Sequence, residues 1–418
     1  MSDQRNIVIL GGSSSGLSAA HYILRHTLPA LKAKHSAKYH VYLVNPTKEW
    51  YFRIASPRIA ASTSLLPVEK ALFDIEAAFK QYSSNDFTFV QATATGLNPT
   101  TRTVTYKKNQ YLEEEELSYH ALVVATGTRT HDPTFSMHTD TPALLDAIKT
   151  RNTEIKAAKS IIIVGGGPTG VEHAGEVGEL LNGKPGWFST PPPKTNITLI
   201  TADPKLLPVL RPAIAKIAEN KLKKLGVDVI YNTRVANVTT KDNKTTVTLA
   251  KGEKLEADLY IPAHGVLPNT SYIPDELLND KGYLKTNAST LRVDEAGPRV
   301  YALGDVASYS RNFVLDIYDA APVLAINLER DLLSFDPKNP TAKPKGSDRV
   351  YTPNTKEMQF VPIGTGGGVG AILGWKAPSW FVWLLKGRDF MVGLATGPLV
   401  TGDKFKKAYT WKPEEAVV

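Results

Sequence analysis

The sequence predicts an α/β protein made of two strand–glycine turn–helix units closed by a C-terminal α+β module. Three observations predict it. Residues 160–172 read Ser-Ile-Ile-Ile-Val-Gly-Gly-Gly-Pro-Thr-Gly-Val-Glu: a short β-branched run, then G-x-G-x-x-G, then an apolar, alanine-containing run from Val171 to Leu181. Near the N-terminus, strand Asn6–Leu10, Gly11-Gly12-Ser13-Ser14-Ser15-Gly16 and helix Leu17–His26 follow the same plan. Beyond the Pro- and Lys-rich stretch 336–348 the composition becomes aromatic and basic.

The order strand, glycine turn, helix is what a dinucleotide pyrophosphate requires. Gly165 permits the tight turn, Gly167 lets the backbone approach the phosphates, and Gly170 lets helix and strand pack closely. The free N–H groups of the helix then face the anion. The bland alternative at each corner is a strand–turn–helix that binds nothing. At the first corner Ser13 stands where the middle glycine is expected, and serine is small enough to keep the approach open. Two such corners argue for two nucleotide-binding halves.

A chain of 418 residues accommodates two or three domains with sizeable cores. The formal charge of +8 favours acidic partners such as nucleotide phosphates, an anionic membrane or, less specifically, nucleic acid. A basic but inert surface explains many of those charges equally well. With no cysteine, disulfides, thiolate nucleophiles and cysteine metal sites are excluded, and no metal site is expected. The first strand starts too early for a cleavable leader. Ser2 breaks the myristoylation pattern, and no apolar run approaches the ~20 residues that span a bilayer.

Along the chain, Tyr39–Val44 reads as a strand ending at Asn45, where an acid would bind ribose hydroxyls; an amide there still bonds a hydroxyl, without charge. The aromatic and basic segment Trp50–Arg58 suits a connector, or a wall beside a cofactor. Leu72–Tyr82 reads as an amphipathic helix, and Phe87–Thr95 and Thr103–Tyr106 as strands. Glu113–Glu116 reads as a solvated hairpin tip. Strand His120–Ala125 ends in Ala125-Thr126-Gly127, small enough to pass close to a nucleotide. Thr141–Thr150 reads as a helix, and Gly183–Lys194 as a surface loop carrying Trp187 and Phe188. Strand Ile197–Thr201 closes on Thr201 where the second ribose would be read. Asp203 and Lys205 follow, which leaves NADH against NADPH undecided. A helix (Pro212–Leu225), a strand (Gly226–Tyr231), a hairpin (Val235–Leu249) and a strand (Ala257–Ala263) lead into His264-Gly265. His264 is expected to be a satisfied structural histidine. Strand Val300–Asp305 ends in Gly304-Asp305, placing an acid to accept from a ribityl or ribose hydroxyl. Helix Ala320–Leu333 follows.

Assembled, these residues resemble the two-dinucleotide-binding-domain flavoproteins, with two Rossmann-like domains on the glutathione-reductase-type plan. Within that group the chain is similar to the apoptosis-inducing-factor-like branch of FAD-dependent pyridine nucleotide oxidoreductases, the AMID or ferroptosis suppressor protein type, and to its fungal members. The most specific match is C-terminal: Met358–Gly364, Gly368-Val369-Gly370, Gly374-Trp375-Lys376 and Leu384–Asp389. The resemblance implies FAD at the first corner and NAD(P)H at the second. It implies an FAD-binding domain over 1–140 and 270–340, an NAD(P)H-binding domain over 141–269, and an interface or membrane-surface module over 341–418. Carried over, the FAD phosphates meet Gly11, Gly12, Ser13, Ser14, Ser15 and Gly16. Asn45, Arg58, Ala94, Ala125, Thr126, Gly127, Gly304 and Asp305 complete the FAD set. Gly165, Gly167, Gly170, Thr201 and Gly265 serve the second nucleotide. Glu172 matches an acid near the meeting of nicotinamide and flavin, with a helix-N-terminal acid favoured by the dipole as its bland alternative. Ala320 stands where relatives carry glutamine.

The reaction so implied is NAD(P)H:quinone-type oxidoreduction, with hydride passing from nicotinamide to flavin and on to a quinone or other small two-electron acceptor. Without cysteines the electron relay of disulfide reductases is excluded. Two alternatives stand beside it: a fungal flavin oxidoreductase tailoring a secondary metabolite, and a redox-gated binding protein. In the tail, Trp375, Trp380, Phe381, Trp383, Phe390 and Met391 interleave with Lys376, Lys386, Arg388, Lys404, Lys406 and Lys407. These rings are expected to pack as a core or homodimer interface. The alternative is a peripheral membrane surface, with lysines at headgroups. Nucleic acid is not an expected partner. The expected location is cytoplasmic, with lipid droplet or organelle membrane as the peripheral surface.

Overall fold

The computed structural model describes residues 4–108, 113–186, 192–242, 244–340 and 342–417. Trp187 and Phe188 lie outside the described residues. The first half opens with β1 (Gln4–Leu10), α1 (Ser14–Tyr22) and β2 (Lys38–Asn45). Helix continues past α1 through a π-turn over Ile23–Thr27 to Lys34. Next come α2 (Ser56–Ala61), the antiparallel run β3 (Phe87–Asn98), β4 (Thr103–Lys108) and β5 (Glu114–Ser118), then β6 (Ala121–Val124) and the short β7 (Thr128–Arg129).

The second half follows as α3 (Thr141–Ala157), β8 (Ser160–Val164), α4 (Pro168–Asn182), β9 (Asn196–Ile200), α5 (Pro212–Lys224) and β10 (Val227–Ile230). A three-stranded antiparallel sheet comes next, formed by β11 (Val235–Lys241), β12 (Lys244–Leu249) and β13 (Lys254–Ala257). After it stand β14 (Leu259–Pro262) and β15 (Leu267–Pro268). The chain then returns to the first half as β16 (Val300–Ala302) and α6 (Val314–Leu333). The tail carries β17 (Gln359–Pro362), β18 (Gly368–Ile372) and β19 (Trp375–Lys376), followed by short helical turns.

The first sheet has the order β16-β6-β1-β2-β3-β4-β5, and the second β10-β9-β8-β14. In each, the strand before the glycine turn is central, with parallel neighbours on both sides. That strand is the point where the winding reverses, and ligands of open parallel sheets bind outside the carboxyl ends of such strands. The central strands are apolar and fully covered: Ile7, Val8, Ile9 and Ile163 have no exposed surface. The two halves are joined by a two-stranded ribbon in which Leu267 pairs with Arg129 and Pro268 with Thr128.

Local departures from the sequence expectation have identifiable causes. Residues 72–82 are not one helix. Leu72–Asp74 pairs with Glu49–Tyr51, placing Phe73 opposite Trp50. Asp74 then caps a short helix over Ile75–Ala78, accepting from Ala77 N at 2.7 Å. An aspartate in that position starts a helix rather than continuing one. Glu114–Glu116 lie within β5 rather than at a hairpin tip, and all three are exposed. Helix α6 begins six residues before the expected Ala320 and accommodates Pro322 in its interior.

The tail does not form a core of its own. Val361, Ile363, Val369 and Ala371 join the core of the second half, while Phe390, Val392, Leu399 and Phe405 join that of the first. Gly175 of α4 makes room for this: a Cβ there would lie 2.9 Å from Gly364 N and 3.0 Å from Ile363 Cα.

Candidate functional site

Both glycine corners close by the same contacts. In the first, Gly11 has φ +103 and its Cβ would fall 2.4 Å from Ala125 O. In the second, Gly165 has φ +135 and its Cβ would fall 2.3 Å from Ala263 O. A Cβ at Gly16 would lie 1.7 Å from Gly11 O, and one at Gly170 would lie 1.9 Å from Gly165 O. These four glycines serve the fold, because the chain itself occupies the place of a side chain. Gly167 is different: nothing lies within 4 Å of its would-be Cβ. Its equivalent, Ser13, is exposed and heads α1 without a side-chain cap. The open space there fits a ligand approached by bare backbone, so the residues suit a dinucleotide at each corner. Gly127, at φ +62, likewise has nothing within 4 Å.

Asn45 and Thr201 occupy equivalent strand ends, where ribose readers are expected, and both side chains bond within the chain. Asn45 Oδ1 accepts from Gly12 N at 2.8 Å, while its amide donates to Thr47 O and Thr47 Oγ1. Thr201 is buried, with its hydroxyl 2.4 Å from where a Gly166 Cβ would sit, and it accepts from Asp203 N. Each side chain props its own glycine turn. Lys205 is also spent locally, donating to the carbonyls of Leu207, Pro208 and Leu210.

The return strand brings an acid to the first corner. Gly304, at φ +83, lies against α1 so closely that a Cβ would be 2.1 Å from Ser15 Oγ. Asp305 follows, accepting from Ser310 Oγ at 3.4 Å. Burial pushes its carboxyl up, and Arg53 opposes the shift. Arg53 itself donates to Thr128 O at 3.0 Å. Thr126 Oγ1 donates to Asn269 O at 2.9 Å, pinning the Ala-Thr-Gly strand end to the chain beyond the ribbon. Ala94 sits in β3 opposite Tyr106, beside a bulge before Gly96.

Arg58 is committed to partners within the protein. It is 3% exposed and grips Glu176 of α4 through two bonds of 2.9 and 2.8 Å. It also donates to Gly387 O at 2.7 Å and lies 4.6 Å over the Phe390 ring. One turn earlier on α4, Glu172 is 2% exposed and receives Lys386 Nζ at 2.5 Å. Burial pushes Glu172 up to about 7, with Lys386 the main opposing influence. Lys386 therefore points inward and is no headgroup contact. This seam, absent from the sequence reading, joins α2, α4 and the tail directly behind the second glycine turn. His173 fills the same region, with Nδ1 on Pro57 O at 2.8 Å and burial pushing it down to about 4.

His264 is not the satisfied histidine expected. It is half-buried and makes no hydrogen bond through its ring among the described residues; instead it stands 4.9 Å from the ring of His131. In the tail, Phe390 is fully buried and Phe381 half-buried, but Trp375, Trp380 and Trp383 remain 79%, 66% and 40% exposed. The expectation of a packed interface thus holds within this chain for only part of that set. No helix among the described residues is long and apolar enough to cross a membrane, and no metal-binding group of His, Asp and Glu is present among them.

The chain is similar to known proteins along nearly its whole length. An oxidoreductase, phnG, of Penicillium herquei is 43% identical over 94% of this chain and 95% of its own. Ferroptosis suppressor protein 1 of Xenopus laevis is 25% identical over 92% and 93%. The sulfide:quinone oxidoreductase of Aquifex aeolicus superposes with a TM-score of 0.61 at 18% identity, over 78% of this chain and 77% of that one. Residues 5–324 match the family model described as pyridine nucleotide-disulphide oxidoreductase. The chain is a member of the pyridine nucleotide-disulphide oxidoreductase family in its apoptosis-inducing-factor-like, fungal form, an α/β oxidoreductase whose cofactors are FAD and NAD(P)H.

Proposed function

We propose that this oxidoreductase takes hydride from NAD(P)H bound at the second corner to FAD at the first, and passes two electrons to a quinone-type acceptor. The observation that carries the reading is the pair of matched turns, with no atom within 4 Å of a Gly167 Cβ in the second and Ser13 exposed at the same position of the first. Bound FAD supplies the two-electron chemistry; the chain binds, orients and excludes water. Gly11–Gly16, Gly127 and Asp305 would hold FAD, and Gly165–Gly170 with Gly265 the nicotinamide nucleotide. Glu172, paired with Lys386 in the seam, would act on the nicotinamide side by holding α4 and the turn before it in place. Two similar proteins, a ferroptosis suppressor and a sulfide:quinone oxidoreductase, favour a quinone-type acceptor. With no cysteine, a dithiol acceptor relay within the chain is excluded.

The test is a visible spectrum of the purified protein before and after NADH, then NADPH, followed by turnover with menadione. Flavin bands that bleach and acceptor-dependent oxidation are expected. A colourless protein, or one whose flavin no nicotinamide reduces, would refute the reading.

A quinone-type acceptor fits the tail surface. Of the large apolar side chains left exposed among the described residues, Leu373, Trp375, Trp380, Trp383, Leu384 and Leu394 fall in one short stretch. Exposed Lys376, Arg388, Lys406 and Lys407 lie on the same module, whereas the Lys404 ammonium packs on the Tyr318 ring. Tryptophan beside lysine suits a bilayer interface, so we place this face on anionic membrane at the cytoplasmic side. Cosedimentation with phosphatidylserine vesicles should fall sharply in W375S/W380S. Unchanged sedimentation, with a dimer that these substitutions dissociate, would assign the face to a second copy instead.

A further inference from the structure

We propose that His264 and His131 together hold the diphosphate of the nicotinamide nucleotide and take up a proton as it binds. The proposal rests on the second corner being the nicotinamide site.

The matched corners identify His264's place. Gly11 packs on Ala125 O and Thr126 Cα, and Gly165 packs on Ala263 O and His264 N. Gly127 and Gly265 follow with φ of +62 and +60. His264 is therefore the counterpart of Thr126, at the mouth of the second glycine turn. Thr126 spends its hydroxyl on Asn269 O. His264 spends nothing: no ring hydrogen bond is present among the described residues.

Facing it is His131, from the segment after β7 in the other half. The ring centroids are 4.9 Å apart at 35°, and His131 Nε2 lies 3.7 Å from where a Gly265 Cβ would be. His131 is exposed and His264 half-buried. Two imidazoles, one from each side of the ribbon, thus converge, and neither ring makes a hydrogen bond among the described residues.

The charged surroundings favour an anion. Residues 259–269 carry no charged side chain, nor do Gly165–Val171. On the segment bearing His131, the charged or titratable groups are Arg129, Asp132 and His138, the last held down by burial, with Arg53 close by. Arg129 is held at Asn269 Oδ1 and Arg53 at Thr128 O. Asp132 is buried and used by Arg151 at 2.8 Å and by Thr134. No carboxylate on these segments is left to neutralise the pair. In the free protein, burial and the neighbouring imidazole both lower His264. A diphosphate between the rings reverses that balance and favours the imidazolium, so affinity rises as pH falls through neutrality.

Calorimetric titration of the flavin-loaded protein with NAD+ tests this, run near neutral pH in two non-phosphate buffers of different ionisation enthalpy. Proton uptake on binding is expected. In His264→Thr, the residue of the matched corner, uptake should vanish and Kd weaken about tenfold, the loss of one charge-assisted bond. His131→Gln should behave alike, with melting temperature and flavin content unchanged in both. Binding without proton uptake, or variants that keep wild-type uptake and Kd, would overturn the proposal. A yellow protein that does not bind NAD+ at all would instead overturn the reading of the second corner.

Discussion

A glycine whose Cβ would sit 1.7 Å from a carbonyl oxygen cannot be replaced without moving the strand or the helix that share it. Gly16→Ala meets that condition against Gly11 O. The variant should lose about 3 kcal/mol or more and retain little flavin, read by chemical denaturation and by absorbance of the purified protein. Gly167→Ala meets no protein atom within 4 Å. It should keep wild-type stability while weakening nicotinamide binding, a contrast that separates glycines kept for the fold from glycines kept for a ligand. Glu172 makes a pH-dependent prediction. Its folded pKa lies above the unfolded value, so the native state holds the extra proton. That contribution is complete below about pH 4.5 and is lost as pH rises through about 7, at no more than about 1.4 kcal/mol per pH unit. Denaturation midpoints of Glu172→Gln measured across that interval should lack this decline. At this scale the corner glycines were legible, because the contacts of Gly16 on Gly11 and of Gly170 on Gly165 join near neighbours. Arg58–Glu176 and Lys386–Glu172 were not. Their partners are 118 and 214 residues apart, and nothing local distinguishes a buried cation from a solvated one. Asn45 and Thr201 sit at the strand ends expected of ribose readers, yet their side chains turn back onto the glycine beside them.

Elements followed the sequence where period and caps agreed. The strands before both corners, and the helices after them, stand as their apolar runs imply. The stretch 72–82 failed because its helical spacing hid Asp74, whose side chain starts a helix and so ends the strand before it. The early start of α6 is not legible, because Phe313 offers no polar cap and Pro322, inside the helix, disfavours helix across it. At this scale the contact of α4 with the tail is the feature to test. Gly175→Ala places a methyl 2.9–3.0 Å from Gly364 and Ile363. It should cost about 1–3 kcal/mol as an overpacked contact, seen as a lower urea midpoint. Because α4 also carries the second glycine turn, nicotinamide affinity should fall with it, whereas flavin content should not.

At the scale of the whole molecule the plan of two matched halves was legible, since each corner announces itself in a dozen residues. The role of the tail was not. Its composition reads as a separate module, yet its side chains are divided between the two neighbouring cores. A chain fastened in this way should unfold once. Scanning calorimetry of the flavin-free protein is expected to give a single transition; two resolved peaks would show that the halves melt independently.

The divided tail also bears on how the protein is made. Neither half can complete its interior until residues 361–405 have left the ribosome. Until then the nascent polypeptide exposes two unfinished apolar surfaces side by side, the circumstance in which chaperones are recruited and premature termination is most damaging.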